Sequence, residues 1–227
     1  MCSRFSLHAK QQIVERAFNI QFKQNEFQSH FNIAPFQKIL CIKGNNPSTL
    51  EYLTWGIKQI WAGQSTSIIN ARSETVSSAP LFSSSFHRSR CLIIADGFYE
   101  WQHLGKNKNP SYVRLKSGLP FAFAGISGSW DSKKDNQDTC VILTVPSTAS
   151  LHSIHNRMPA ILHPDDYQKW LNHDHHSSNT ALSLLKSFPD DALIIHPVST
   201  TVNFVKNDSP ECIQEQPCPE PFQYALL

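Results

Sequence analysis

The chain has 227 residues, of which 40% are hydrophobic and 17% are charged, and its formal net charge is +2. This composition excludes an intrinsically disordered chain and predicts one globular domain around a single core. The longest apolar runs are far shorter than the roughly 18 residues of a membrane span, and the polar start predicts no signal peptide. We therefore expect a cytoplasmic monomer that contacts no membrane, nucleoid-associated if the source is bacterial.

The chain order predicts one early helix, a middle of short strands and two late helices. Ser6 is expected to cap the first helix, in which Ile13, Ala17 and Ile20 share one face. Strands are predicted at 50–57, 67–70, 91–101, 111–116, 121–126, 139–145 and 192–197. The late helices are predicted at about 164–171 and 179–187.

This order of elements favours an α+β fold. We expect a single compact domain with a mostly antiparallel, barrel-like β core and a few peripheral helices. The domain is assigned to residues 1–208. Residues 209–227 contain several prolines, so they are predicted to form an extended or disordered tail.

Charge is distributed unevenly along the chain. Residues 1–120 carry 14 basic and 6 acidic side chains, a charge of +8, whereas residues 121–227 carry 6 basic and 12 acidic ones, a charge of −6. Such asymmetry is typical of a protein with an anionic partner such as nucleic acid. The halves of a sequence need not be halves of the molecule, so an ordinary mixed surface is the alternative.

The cysteines point to an unusual terminus rather than to a disulfide scaffold or a metal site. The six cysteines are sparse and form no C-x-x-C pair, which predicts reduced thiols and no bound metal. If a methionine aminopeptidase removes Met1, Cys2 becomes the first residue and carries an amine and a thiol on adjacent carbons. That pair can condense with an aldehyde to an imine and then close a thiazolidine ring. The alternative is an inert residue at a frayed end.

Three further segments carry polar side chains suited to chemistry. Asn70 begins a polar run at a strand end, where sites often lie, although a solvated strand end would look the same. Glu100 stands between two aromatic residues, which can raise the pKa of a carboxyl, or it is an exposed residue of an alternating strand. His155 and Arg157 share a loop, where they suit proton transfer and phosphate binding.

Seven motifs follow one another along the chain. They are Met1-Cys2-x-Arg4-Phe5, Asn32-x-Ala34-Pro35, Trp55-Gly56, Asn70-Ala-Arg-Ser-Glu-Thr75, Ala95-Asp-Gly-Phe-Tyr-Glu-Trp101, Phe123-Ala-Gly125 and Ile154-His-x-Arg-Met-Pro159. Their order and spacing resemble the SRAP family, the SOS-response-associated peptidases, also called abasic-site processing proteins. The resemblance covers about residues 2–205 and implies the family's compact α+β fold with a basic groove for single-stranded DNA.

The resemblance implies a covalent DNA-damage function without a metal or an organic cofactor. Cys2 would capture the aldehyde of an abasic site in single-stranded DNA as a thiazolidine. Asn70 would hold the amine or the sugar, and Glu100 and His155 would move protons. Lyase activity and a cysteine-peptidase activity that removes residues before Cys2 are also implied.

The resemblance also implies a set of DNA contacts. Arg4, Arg72 and Arg157 would hold phosphates, and the DNA path would be lined by Asn32, Pro35, Trp55 and Trp101.

The sequence departs from the family pattern at three positions, and two other functions remain open. Ser3 replaces the usual glycine after the cysteine, Ile94 replaces a proline, and Asn156 replaces an aspartate. The first rival is a cysteine-dependent peptidase or amidohydrolase using Cys2. The second is a single-stranded DNA binding module without reactivity.

Overall fold

The computed structural model describes residues 2–22, 27–44, 46–61, 64–105, 107–130, 138–173 and 177–217. The strands are β1 (Arg4–Leu7), β2 (His30–Ile33), β3 (Lys38–Lys43), β4 (Asn46–Trp55), β5 (Ile57–Trp61), β6 (Gln64–Ile68), β7 (Asn70–Arg72), β8 (Arg90–Ala95), β9 (Gly97–Leu104), β10 (Asn107–Leu115), β11 (Phe121–Gly128), β12 (Thr139–Pro146), β13 (Arg157–Pro159), β14 (Ile161–Leu162) and β15 (Leu193–Pro197). The helices are α1 (Gln11–Phe18), α2 (Ser83–Arg88), α3 (Ala149–His152), α4 (Tyr167–Leu171) and α5 (Ser177–Leu184).

The larger sheet has the strand order β13-β12-β4-β3-β8-β11-β14. Strand β12 also pairs with β11, so the pairings run in a ring through β12, β4, β3, β8 and β11. Every residue of β8 is buried, and so is nearly every residue of β11 and β12. Strands covered on both faces read as continuous apolar runs, which is why these three were predictable. Strand β7 lies parallel to β12 at the sheet's edge.

A second sheet, of five strands, is antiparallel and has the order β15-β10-β9-β1-β2, while β5 and β6 form a separate antiparallel pair. Strand β1 therefore lies inside this sheet although it begins at the fourth residue of the chain. Its Phe5 is fully buried, with ring centroids 5.2 Å from Trp55 and 5.7 Å from Phe123. These aromatic contacts join the five-stranded sheet to the larger sheet and hold β1 against the core.

A buried carboxylate between β8 and β9 holds the other end of β1. Asp96 accepts hydrogen bonds from the Ser6 hydroxyl (2.6 Å) and from the backbone N–H groups of His8 (2.5 Å) and Ala9 (2.7 Å). The Ser6 hydroxyl also lies 2.7 Å from the Tyr112 hydroxyl. Because an ionised carboxylate only accepts, it matches these three donors.

The predicted α+β class with mostly antiparallel strands is confirmed, but the start of the first helix is wrong. Ser6 lies in β1 and its hydroxyl bonds to Asp96 rather than capping a helix. Helix α1 begins at Gln11, and it buries Val14 rather than Ile13. A buried serine can be mistaken for a cap because its partner is 90 residues away.

The prediction of an extended or disordered tail is wrong for residues 209–217. Cys212 is fully buried, and Glu215 forms a β-bridge with Val198. This segment therefore packs on the domain, and the rest of the predicted tail, 218–227, lies outside the described residues. No helix in the described ranges is long and apolar enough to cross a membrane.

Replacing the buried carboxylate should destabilise the fold. Asp96→Asn puts an amide N–H₂ group where acceptors are needed, so we expect unfolding to require about 2–4 kcal/mol less free energy. Urea denaturation measures this loss. Asp165→Asn is the matched control, because the Asp165 side chain is 85% exposed, and its effect should stay within about 0.5 kcal/mol. Equal stability of both variants would contradict the role given to Asp96.

Candidate active site

A cavity of about 440 Å³ opens beside the start of β1. Strands β1, β9 and β10 contribute to it, together with the segment before β13 and a 3₁₀ turn at Thr200–Asn203. Its lining residues are Ser3, Arg4, Glu100, Trp101, Lys108, His155 and Asn203. The fold thus brings the beginning, middle and end of the chain to one site.

Cys2 is fully buried next to this cavity. Its backbone carbonyl accepts a hydrogen bond from the Asn70 Nδ2 group at 2.8 Å, and its Sγ lies 3.7 Å from the Arg4 carbonyl. Asn70 is in place because β7 pairs with β12, opposite Ile142. The buried Asn70 Oδ1 accepts no hydrogen bond from the described residues.

Glu100 is a buried carboxyl of the same site, with only 2% of its surface exposed. It lies on β9 opposite Ser111, one residue beyond the pairing of Tyr99 with Arg4. Burial raises the pKa of Glu100 to about 7. At neutral pH such a carboxyl can both donate and accept a proton.

The Cys2 thiol is held in its neutral form by the same surroundings. Burial raises its pKa well above the ordinary value, and the nearby Glu100 carboxylate raises it further. The site therefore favours the neutral thiol of Cys2 over the reactive thiolate.

His155 lines the cavity, and the backbone of Arg157 holds its ring in place. Its Nδ1 lies 3.0 Å from the backbone nitrogen of Arg157 and 3.1 Å from the carbonyl oxygen of that residue. Nδ1 can therefore accept from the N–H group when it carries no proton, or donate to the carbonyl when it carries one.

The three predicted phosphate-binding arginines differ in their surroundings. Arg72 is exposed at the end of β7, two residues after Asn70 and on the same face of the strand. Arg4 donates from Nη1 to the Asn32 Oδ1 (2.9 Å) and the Val202 carbonyl (2.8 Å). Arg72 is therefore the arginine of the three that is most accessible to a phosphate.

Arg157 is occupied by an ion pair. Its two terminal nitrogens donate to the two Glu74 oxygens at 2.7 and 3.0 Å, and its Nε donates to the Thr144 hydroxyl. The Arg157 hydrogen bonds lower the pKa of Glu74 to about 2. A phosphate would have to compete with this carboxylate for Arg157.

Two predicted DNA contacts are wrong because their side chains are buried. Trp55 is fully buried, packs on Phe5, and donates from Nε1 to the Ile69 carbonyl at 2.9 Å. Asn32 is 1% exposed, and its amide group donates to the carbonyls of Val202, Phe204 and Asn207. Both residues stabilise the walls of the site and present no surface to DNA.

The remaining predicted contacts lie at or near the surface. Pro35 is half-buried in the turn between β2 and β3. Trp101 is half-buried in the cavity wall, where its Nε1 donates to the Asn203 Oδ1 at 2.7 Å. Sequence reasoning missed Asn203 and the exposed Lys108, which both line the cavity. Lys108 falls between the predicted strands 91–101 and 111–116, and no local pattern marks Asn203.

The comparisons with known proteins agree with these motifs. A family model described as SOS response associated peptidase (SRAP) matches residues 1–205. This chain belongs to the SRAP family. The abasic site processing protein YoqW of Bacillus subtilis is 39% identical over 223 residues, which are 94% of this chain and 99% of the relative. YedK of Escherichia coli, also named an abasic site processing protein, is 29% identical over 81% of this chain and 83% of its own.

A vertebrate relative and a solved structure are also similar to this chain. The abasic site processing protein HMCES of Gallus gallus is 31% identical over 71% of this SRAP chain and 56% of its own length. A crystal structure of a Bacteroides thetaiotaomicron protein superposes with a TM-score of 0.78 at 24% identity, covering 95% of this chain and 100% of that one. This structural likeness shows a shared fold.

The raised pKa of Glu100 should make stability depend on pH. Its neutral form is favoured in the folded state, so the folded chain binds more protons than the unfolded chain between pH 4.5 and 7. This contribution is fully present below pH 4.5 and is lost as pH rises through 7. We expect it to amount to roughly 2–3 kcal/mol between pH 4 and pH 8.

Urea denaturation at both pH values measures the effect. Glu100→Gln should flatten the pH dependence by most of that amount, because glutamine does not ionise. Glu215→Gln, at an exposed side chain, should leave the dependence unchanged. An unchanged pH dependence in Glu100→Gln would show that this carboxyl titrates normally.

Proposed function

We propose that this SRAP protein captures abasic sites in single-stranded DNA covalently through Cys2. The observation that carries the proposal is the burial of Cys2 beside a carboxyl with a pKa of about 7, next to a cavity open to ligands. The naming of relatives as abasic site processing proteins supports the choice of substrate.

The chemistry requires the α-amine of Cys2, and therefore removal of Met1, for which a methionine aminopeptidase is one route. The amine attacks the aldehyde carbon of the ring-opened abasic sugar, and loss of one water gives an imine. The thiol sulfur then adds to the imine carbon, and the thiol proton ends on the nitrogen. The product is a thiazolidine, and the sum is protein plus DNA minus one water.

The surroundings suit each proton transfer. Glu100 can protonate the sugar oxygen during ring opening and then accept a proton from the attacking amine, because its pKa lies near neutrality. His155, which lines the same cavity, can assist as a second proton donor or acceptor. Asn70 fixes the Cys2 carbonyl through Nδ2, which leaves its Oδ1 to hold the amine or a sugar hydroxyl.

The thiol's protonation state favours this reaction over the cysteine-hydrolase alternative. A hydrolase needs a thiolate, which requires a lowered pKa, whereas burial and Glu100 raise the pKa of Cys2. In thiazolidine formation the amine attacks first, and a neutral thiol can follow. The imine also permits elimination of the 3′ phosphate, so a weaker lyase activity belongs to the proposal.

Intact-mass spectrometry tests covalent capture. The protein is incubated with a single-stranded oligonucleotide that carries one abasic site, and we expect a species at the summed mass minus one water. Cys2→Ser should lose the heat-stable adduct, because an oxygen nucleophile does not close the same stable ring. Cys212→Ser is the matched control, since Cys212 lies in the smaller core cluster and should leave the adduct intact.

A chain that lacks Met1 and binds the oligonucleotide without gaining its mass would contradict capture. It would favour the binding-module alternative. A heat-stable adduct in Cys2→Ser would instead contradict the thiazolidine.

Arg72 is expected to hold a phosphate near the captured sugar. It is exposed and shares the Asn70 face of β7, about 7 Å further along the strand. Arg72→Ala should weaken binding to single-stranded DNA and lower the slope of log affinity against log salt by about 0.7. Arg16→Ala, at an exposed position of α1, should preserve the slope. Titrations with single-stranded DNA over a range of salt concentrations measure both slopes. An unchanged slope in Arg72→Ala would show that Arg72 does not contact a phosphate.

A further inference from the structure

An exposed apolar pair stands directly beside the wall of the active-site cavity. Phe204 is 64% exposed, the highest value among the exposed large apolar side chains of the described ranges, and its neighbour Val205 is 45% exposed. Single exposed apolar residues are ordinary on protein surfaces. Here two adjacent apolar residues follow Asn203, which lines the cavity, so a ligand in the cavity could cover them.

The backbone that carries this pair is held firmly. The Asn32 amide donates to the Val202, Phe204 and Asn207 carbonyls at 3.1, 3.2 and 2.7 Å. Arg4 donates to the Val202 carbonyl as well, and the Phe204 carbonyl also accepts from the Asn207 N–H at 3.0 Å. A ring presented on a fixed backbone loses little conformational freedom when a ligand covers it.

Charge around the pair is suited to DNA. Lys206 follows directly and is exposed, and Lys108 is exposed in the cavity lining. Either cation can contribute a contact to the phosphates of a strand that passes Phe204. An apolar ring flanked by cations is the arrangement that single-stranded DNA binding sites use.

DNA with an abasic site contains a base that an aromatic ring could stack on. An abasic sugar has lost its base, so each neighbouring base loses one stacking partner and exposes one face. A sugar in the cavity lies next to the Asn203 wall, and the next residue of the chain is Phe204.

We propose that Phe204 stacks on the nucleobase flanking the abasic site, with Val205 covering the edge of that base. The proposal rests on the proposed function for its ligand. It makes Phe204 a binding residue that distinguishes an abasic site between bases from an isolated sugar aldehyde.

The test separates stacking from covalent chemistry. The probe is a single-stranded oligonucleotide with tetrahydrofuran, an abasic analogue that has no aldehyde, and with fluorescent 2-aminopurine on its 5′ or its 3′ side. We expect the wild-type protein to quench the fluorescence at one of these two positions. Phe204→Ala should lose that quenching and bind about 5-fold to 100-fold more weakly, whereas Phe204→Trp should retain both.

Two controls identify the cause of any loss. Leu119→Ala removes another exposed apolar side chain, from the β10–β11 connection, and should behave as wild type. On an oligonucleotide whose neighbouring nucleotides are also tetrahydrofuran, wild type and Phe204→Ala should bind equally, because no base is left to stack.

Three results would overturn the stacking role. They are unchanged quenching in Phe204→Ala, an equal loss of affinity on the oligonucleotide without flanking bases, and a change in oligomeric state by ultracentrifugation with DNA binding intact. The last would assign the pair to a contact between protein chains. Absence of a mass adduct on a natural abasic site would instead contradict covalent capture. The quenching experiment would still test whether Phe204 stacks on a base, because its probe has no aldehyde.

Discussion

The insertion of β1 between β9 and β2 is the constraint on which the site depends. Chain ends usually fray, yet here the fourth residue already pairs inside a five-stranded sheet. A four-residue strand forms few hydrogen bonds with its neighbours, so tertiary contacts set its position. Phe5 packs among core aromatic rings, and Asp96 accepts hydrogen bonds from the Ser6 hydroxyl and the His8 amide. Cys2 lies two residues before this strand and is therefore held in one place, as the proposed capture requires of its nucleophile.

Burial then determines the protonation states that the site can use. It brings the pKa of Glu100 to about 7, and it keeps the Cys2 thiol neutral, an effect to which the nearby Glu100 carboxylate adds. A raised thiol pKa disfavours a mechanism in which a thiolate attacks first. It is compatible with the proposed capture, in which the amine attacks before sulfur adds.

Elements with a local apolar pattern can be predicted from the sequence. Features that depend on a residue distant in the sequence cannot. The sequence predicts the apolar runs of β8, β11 and β12, whereas β1 and β2 carry no such run and were missed. Strand β3 was also missed, although Ile39 to Ile42 form a short buried apolar run. Trp55 was read as a DNA contact, since nothing local shows that core rings surround it. The grouping of Cys2 with Glu100 and His155 came from the family resemblance, because residues so far apart in sequence carry no common local pattern.

Asn32 shows how a residue can shape a site without touching its ligand. Its Oδ1 accepts from Arg4 on β1, while its Nδ2 group donates to carbonyls about 170 residues later in the chain. One buried amide therefore joins the strand that follows Cys2 to the segment that carries Asn203 and Phe204. Asn32 itself is held by Asp208, which accepts from its backbone N–H at 2.9 Å. These bonds form one connected network, which joins the strand that follows Cys2 to the segment that would receive the neighbouring base.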